Sequence, residues 1–101
     1  MRQPEMVLAL FGYLLKITTR GQDTSEIQDA FRDAILAQEN IFQILLSQIF
    51  EKKGVRTYAG ASSEIENISH MTGIPAEDIK DMGHQVLSEL YNRDSAGKKT
   101  T

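Results

Sequence analysis

The sequence predicts an all-α fold of four helices in a single domain. Three observations point there. Apolar residues recur at spacings of three and four along most of the chain. Gly21, Gly54 and Gly73 stand where those patterns stop. The one stretch with strand character, Val55-Arg56-Thr57-Tyr58, has no second strand to pair with.

The first helix is expected over about 5–19, ending at Gly21. Leu8, Phe11, Leu14, Leu15 and Ile17 do not share one face, and Val7, Leu10 and Tyr13 fill the other side. A helix apolar all round is buried on all sides, in a core or in an oligomer interface. Its run of apolar residues, 6–15, is about half the length of a membrane span. Pro4 and Glu5 precede the run, Lys16 and Arg20 follow it, and no small-x-small cleavage site appears. A buried helix is therefore expected there, not a signal peptide.

The second helix is expected over 23–53, roughly 45 Å if unbroken. Asp23 with Glu26 resembles a capping box, with Thr24 and Ser25 as competing caps. Ile27, Phe31, Ala34, Ile35, Ile41, Phe42, Leu45 and Ile49 follow at helical spacing. Lys52 and Lys53 suit a helix C-terminus, and Gly54 suits the position after it. The first half is amphipathic, with Gln28, Asp29, Arg32 and Asp33 outside, whereas residues 41–50 are apolar nearly all round. Phe31, Phe42 and Phe50 could form an aromatic surface for a partner, but at this spacing they are expected in the core.

Residues 55–63 are expected to be a loop. A third helix begins at Ser62 or Ser63, where Ser63 and Glu66 make a second capping box, and ends at Gly73. Ile74-Pro75 cannot continue it. The fourth helix begins at Pro75 or Ala76, with Glu77 and Asp78 at its positive end and Ile79, Met82, Val86, Leu87 and Leu90 on its apolar face. The expected organisation is one domain over 1–94. A short apolar helix and a long helix form an antiparallel hairpin over 1–54, a second helix pair covers 62–92, and a disordered polar tail covers 95–101.

The second pair resembles a helix-turn-helix. Ser69 is small, Gly73 sits in the turn four residues on, and Ile79 is the apolar residue that would hold the second helix. The resemblance covers about thirty residues and implies a dimeric DNA-binding regulator, with Lys52, Lys53, Arg56 and Lys80 as candidate contacts. Charge opposes it. Glu77, Asp78 and Asp81 crowd the start of the would-be reading helix, and the whole chain carries −3 at a pI near 5.3.

Other chemistry is scarce. There is no cysteine, which excludes disulfides, thiolate metal sites and cysteine nucleophiles, and suits a reducing cytoplasm. Glu66 and His70 stand at i, i+4, but with His84 they are too few to converge as a metal site. No phosphate-binding loop and no nucleophile motif accompanies the two histidines, so neither a cofactor nor an enzymatic activity is expected. The leading expectation is a small cytoplasmic regulatory or adaptor protein. It would act by protein–protein contact through an apolar helical surface, as a homodimer and on an unidentified protein partner, with no membrane involved. Leu10, Phe11, Leu14, Ile41, Leu45 and Ile49 are expected to line the seam inside the chain. Tyr13, Leu46 and Phe50, away from that stripe, are the candidate interface.

Overall fold

The computed structural model describes the backbone of residues 1–99 and the side chains of residues 1–93. Of the tail expected to be disordered over 95–101, residues 95–99 continue the last helix, and 100–101 lie outside the described residues. The described residues form five helices and no strand: α1 (Gln3–Thr19), α2 (Ser25–Ala37), α3 (Ile41–Lys53), α4 (Tyr58–Thr72) and α5 (Ala76–Lys99). The all-α expectation holds, but the count of four does not.

The difference lies at 38–40. Gln38 is extended and Asn40 is left-handed at φ 56, so the expected long helix is two helices joined by a sharp reversal. Asparagine tolerates the left-handed region better than other non-glycine residues, and no glycine or proline marks the break. A straight helix of roughly 45 Å would also outrun the molecule, whose longest axis is 43 Å. The reversal sends α2 back along α1 and lets α3 enter the interior.

Directions follow from which ends meet. Leu36 and Gln38, at the end of α2, share a cleft with Gln3 and Pro4 at the start of α1, so these two helices run antiparallel. Ile41, Phe42 and Gln43 line that same cleft, and Lys53 lies beside Tyr13, Lys16 and Ile17 at the far end. α1 and α3 therefore run side by side in the same direction. The expected antiparallel partner of α1 is α2 alone.

The helix ends are largely those the sequence marks. Gly54, at φ 69, follows α3, and Val55 N–H reaches back to Phe50 O at 3.0 Å, a Schellman-type closure. Gly73 ends α4, donating from its N–H to Ser69 O at 2.9 Å. Two starts differ from expectation. α4 begins at Tyr58, not at Ser62 or Ser63, because Thr57 caps it, its Oγ1 accepting from Gly60 N–H at 3.0 Å. The expected loop over 55–63 is correspondingly short. At α2 the N-cap is Thr24, and Asp23 Oδ1 instead accepts from Ser25 N–H at 3.0 Å and from Ser25 Oγ at 2.8 Å. Those two bonds hold the Asp23 carboxyl below the usual carboxylate range.

The core is drawn from four helices. α1 gives Val7, Leu10, Phe11 and Tyr13, and α3 gives Phe42, Leu45, Leu46, Ile49 and Phe50. α4 gives Ala61, Ile65 and Ile68, and α5 gives Ile79, Val86, Leu87 and Leu90, with Val55 and Ile74 from the turns. α3 packs on α1 and on α5, and α4 packs on α5 and on α1. Gln43 Nε2 donates to both oxygens of Glu89, and Arg93 pairs with Glu51, so polar contacts also fasten α3 to α5. No helix among the described residues is long and apolar enough to cross a membrane.

Candidate protein-binding surface

α2 is the exception in this fold: not one of its thirteen residues is buried. It is fastened to α1 along one edge only. Gln28 lies against Gly12 and donates from Nε2 to the buried Thr24 Oγ1 at 3.0 Å, while Ile35 and Leu36 pack half-buried against the core. Its remaining apolar side chains face water. Ile27 is 40% exposed and Phe31 53%, and Ala30 and Ala34 are exposed beside them. Positions 27, 30, 31 and 34 follow the spacing of a single helical stripe. Glu26 and Asp33, both exposed, border the stripe on its alanine side, while Asp29 and Arg32, also exposed, lie farther round the helix. Ile44, Tyr58, Met71 and Tyr91 are exposed too, but they lie on other helices.

The three residues expected at an interface are elsewhere. Tyr13 is 6% exposed, and Leu46 and Phe50 are fully enclosed. With α1 against one side of α3 and α5 against another, the chain covers Phe42, Leu45, Leu46, Ile49 and Phe50 by itself and leaves Ile44 exposed. The expectation that Tyr13, Leu46 and Phe50 lie outside the core is thus corrected, and with it the argument from them for self-association. Of the three aromatics whose spacing suggests a core, Phe42 and Phe50 are core and Phe31 is not, so for Phe50 the core expectation holds and the interface one fails.

Tyr13 has a polar role. Its hydroxyl donates to Glu64 Oε2 at 3.0 Å and accepts from Asn67 Nδ2 at 2.8 Å. Glu64 is itself buried, and Lys53 Nζ stands 3.8 Å from its Oε1. The cluster ties α1, α3 and α4 together with every buried side-chain polar atom among the described residues partnered. Burial, then the hydrogen bond and charge of Glu64, push the Tyr13 hydroxyl from 10.0 to about 12, against a smaller opposite pull from Asn67.

The fold favours the protonated hydroxyl, so its contribution is complete below pH about 10 and is lost as pH rises towards about 12. Urea unfolding across that window should show a steeper loss in the native protein than in Tyr13→Phe. At neutral pH the same substitution takes the donor from a buried carboxylate and should cost about 1–3 kcal/mol. Equal unfolding midpoints for the two proteins would show that the hydroxyl is not held as described.

The cations proposed for DNA do not come together. Lys53 is bridged to Glu64, and Arg56 Nη1 donates to Val55 O at 2.7 Å. Both, with the exposed Lys52, belong to the end of α3 and the turn after it. Lys80 lies among Asp78 and Asp81, which share a cleft with Gln3 and Met6 at the opposite end of α1. The stretch of α1 from Met6 to Lys16, about 15 Å, lies between the two groups. Lys16, Arg20 and Lys53 do line one cleft of about 380 Å³ with Tyr13 and Asn67, where the C-terminal ends of α1 and α3 meet. Cations gather at helix C-termini for that reason alone.

His84 packs edge-on against Tyr58, ring centroids 5.7 Å apart. No group of three or more metal-ligating side chains converges among the described residues. Sequence reasoning missed Ile27 and Phe31 as surface residues. The signal was present, a stripe at helical spacing, but a stripe looks the same whether the core or a partner covers it. Comparison with known protein families, with curated proteins and with solved structures finds nothing that matches the chain.

Proposed function

We propose that this chain is a small, non-enzymatic regulatory or adaptor protein that acts by protein–protein contact, with the outer stripe of α2 as its contact surface. One observation supports this above the rest: a helix of thirteen residues with none buried keeps an isoleucine and a phenylalanine side by side in water. Full burial of such a side chain is worth roughly 1.5–3 kcal/mol, so leaving about half of each in water gives up roughly 1 kcal/mol each, a noticeable share of what a small domain has. A surface kept at that cost has a use. A cytoplasmic setting belongs to the same proposal and rests on a chain without cysteine. The scattered cations give the DNA-binding alternative no comparable support.

A photo-crosslinking residue at position 31, expressed in the native host, tests the proposal. It should join the chain to a discrete species, while the same residue in place of Tyr91, equally exposed on α5, should not. No adduct from position 31, or the same adduct from both positions, would refute it.

A further inference from the structure

We infer that the partner of α2 is an amphipathic helix whose apolar face is flanked by lysine or arginine. The inference rests on the reading of α2 as a contact surface and names what fits it. The stripe is two side chains and two hollows: Ile27 and Phe31 project, and Ala30 and Ala34 leave room beside them. It runs for about two turns, roughly 12 Å, the span over which one helix lies along another. A helix laid in such a groove contributes large apolar residues at i, i+3 or i+4, and i+7, and these would seat over the alanines.

Charge selects among the helices that could lie there. One side of the stripe is closed by α1, through Gln28 and Ile35. The other side is lined by Glu26 and Asp33, and among the described residues neither has an ion-pair partner. A second copy of this chain fits poorly. An antiparallel twofold pairing of α2 with itself brings acidic flank against acidic flank, and a parallel pairing sets that flank against the side α1 occupies. An anionic surface, lipid or nucleic acid, meets the same repulsion. A basic-flanked helix alone satisfies both the stripe and its border.

The test uses the full chain and a synthetic helical peptide of about fourteen residues, with leucines on one face and lysines on both flanks. The control peptide has glutamates in place of the lysines. By fluorescence anisotropy at low salt the lysine peptide should bind at least about tenfold more tightly than the control, and the difference should shrink as salt is added. Phe31→Glu should lose binding of the lysine peptide at least about tenfold, and Glu26→Lys with Asp33→Lys should abolish the preference. Circular dichroism verifies that both variants fold. Equal binding of the two peptides, or lysine-peptide binding untouched by Phe31→Glu, would overturn the inference. Light scattering that finds a native dimer dissociated by Phe31→Glu would overturn it in favour of a second copy. If the crosslink at position 31 forms while the lysine peptide shows no preference, the partner chemistry is wrong and the contact surface stands. If no crosslink forms, the contact surface itself is wrong.

Discussion

Glutamate in place of Leu46 is expected to prevent folding. Leu46 is fully enclosed on α3, among Leu45, Ile49 and Phe50, in the same core cluster as Leu10, Val86 and Leu87. Truncation to alanine there costs about 2–5 kcal/mol through lost burial and the cavity left behind. A carboxylate adds desolvation of an unpaired charge, several kcal/mol more, in a domain whose whole stability is of order 5–15 kcal/mol. Far-ultraviolet circular dichroism at 25 °C should show an unfolded or molten chain. A folded monomer would mean instead that Leu46 faces outward and that the substitution has only divided a dimer. Ile27→Glu and Phe31→Glu supply the contrast, since exposed positions should change stability by no more than about 0.5 kcal/mol.

Leucine in place of Gly83 should have the next largest effect. Gly83 lies on α5 against Ile65 of α4. A Cβ there would stand 2.7 Å from Ile65 Cδ1 and 3.3 Å from its Cγ1, with Phe50 Cζ 3.6 Å away. Alanine asks only the tip of Ile65 to move and gains about 1 kcal/mol of helix propensity, so the two effects should nearly cancel. Leucine has no such room. It forces Ile65 and Phe50 from their places or pushes α4 off α5, for about 2–3 kcal/mol, with loss of the α4–α5 packing. Urea midpoints for the glycine, alanine and leucine forms should rank glycine about equal to alanine and both well above leucine. A leucine form as stable as the native protein would show that the two helices do not touch at this point.

These two positions show how legibility varied along the chain. Ser69, Gly73 and Ile79 suggested a helical pair with a tight turn. The pair is there, Gly73 ends α4, and Ile79 is buried. The close approach falls at Gly83, inside a helical pattern, where a glycine carries no local mark of what faces it. The capping signals had a similar weakness. Ser63-x-x-Glu66 matches a capping box, yet the helix starts six residues earlier, because Thr57 caps it through Gly60 N–H and Ser62 and Ser63 fall inside it.

The sequence by itself determined what neighbours within a turn or two determine. It settled the all-α class, the stops at Gly54 and Gly73, the start of α5 after Pro75, and the absence of cysteine chemistry. Backbone conformation at those points depends on glycine, proline and local hydrogen bonds, all of which the sequence carries. Three matters were left to the tertiary structure: the break at Asn40, the enclosure of Tyr13, Leu46 and Phe50, and the exposure of Ile27 and Phe31. Periodicity records that a stripe is apolar, but covering it is the work of residues distant in the chain. Once the chain reverses at 38–40, α1 and α5 close over α3, and α2 is left on the outside with its stripe to the water.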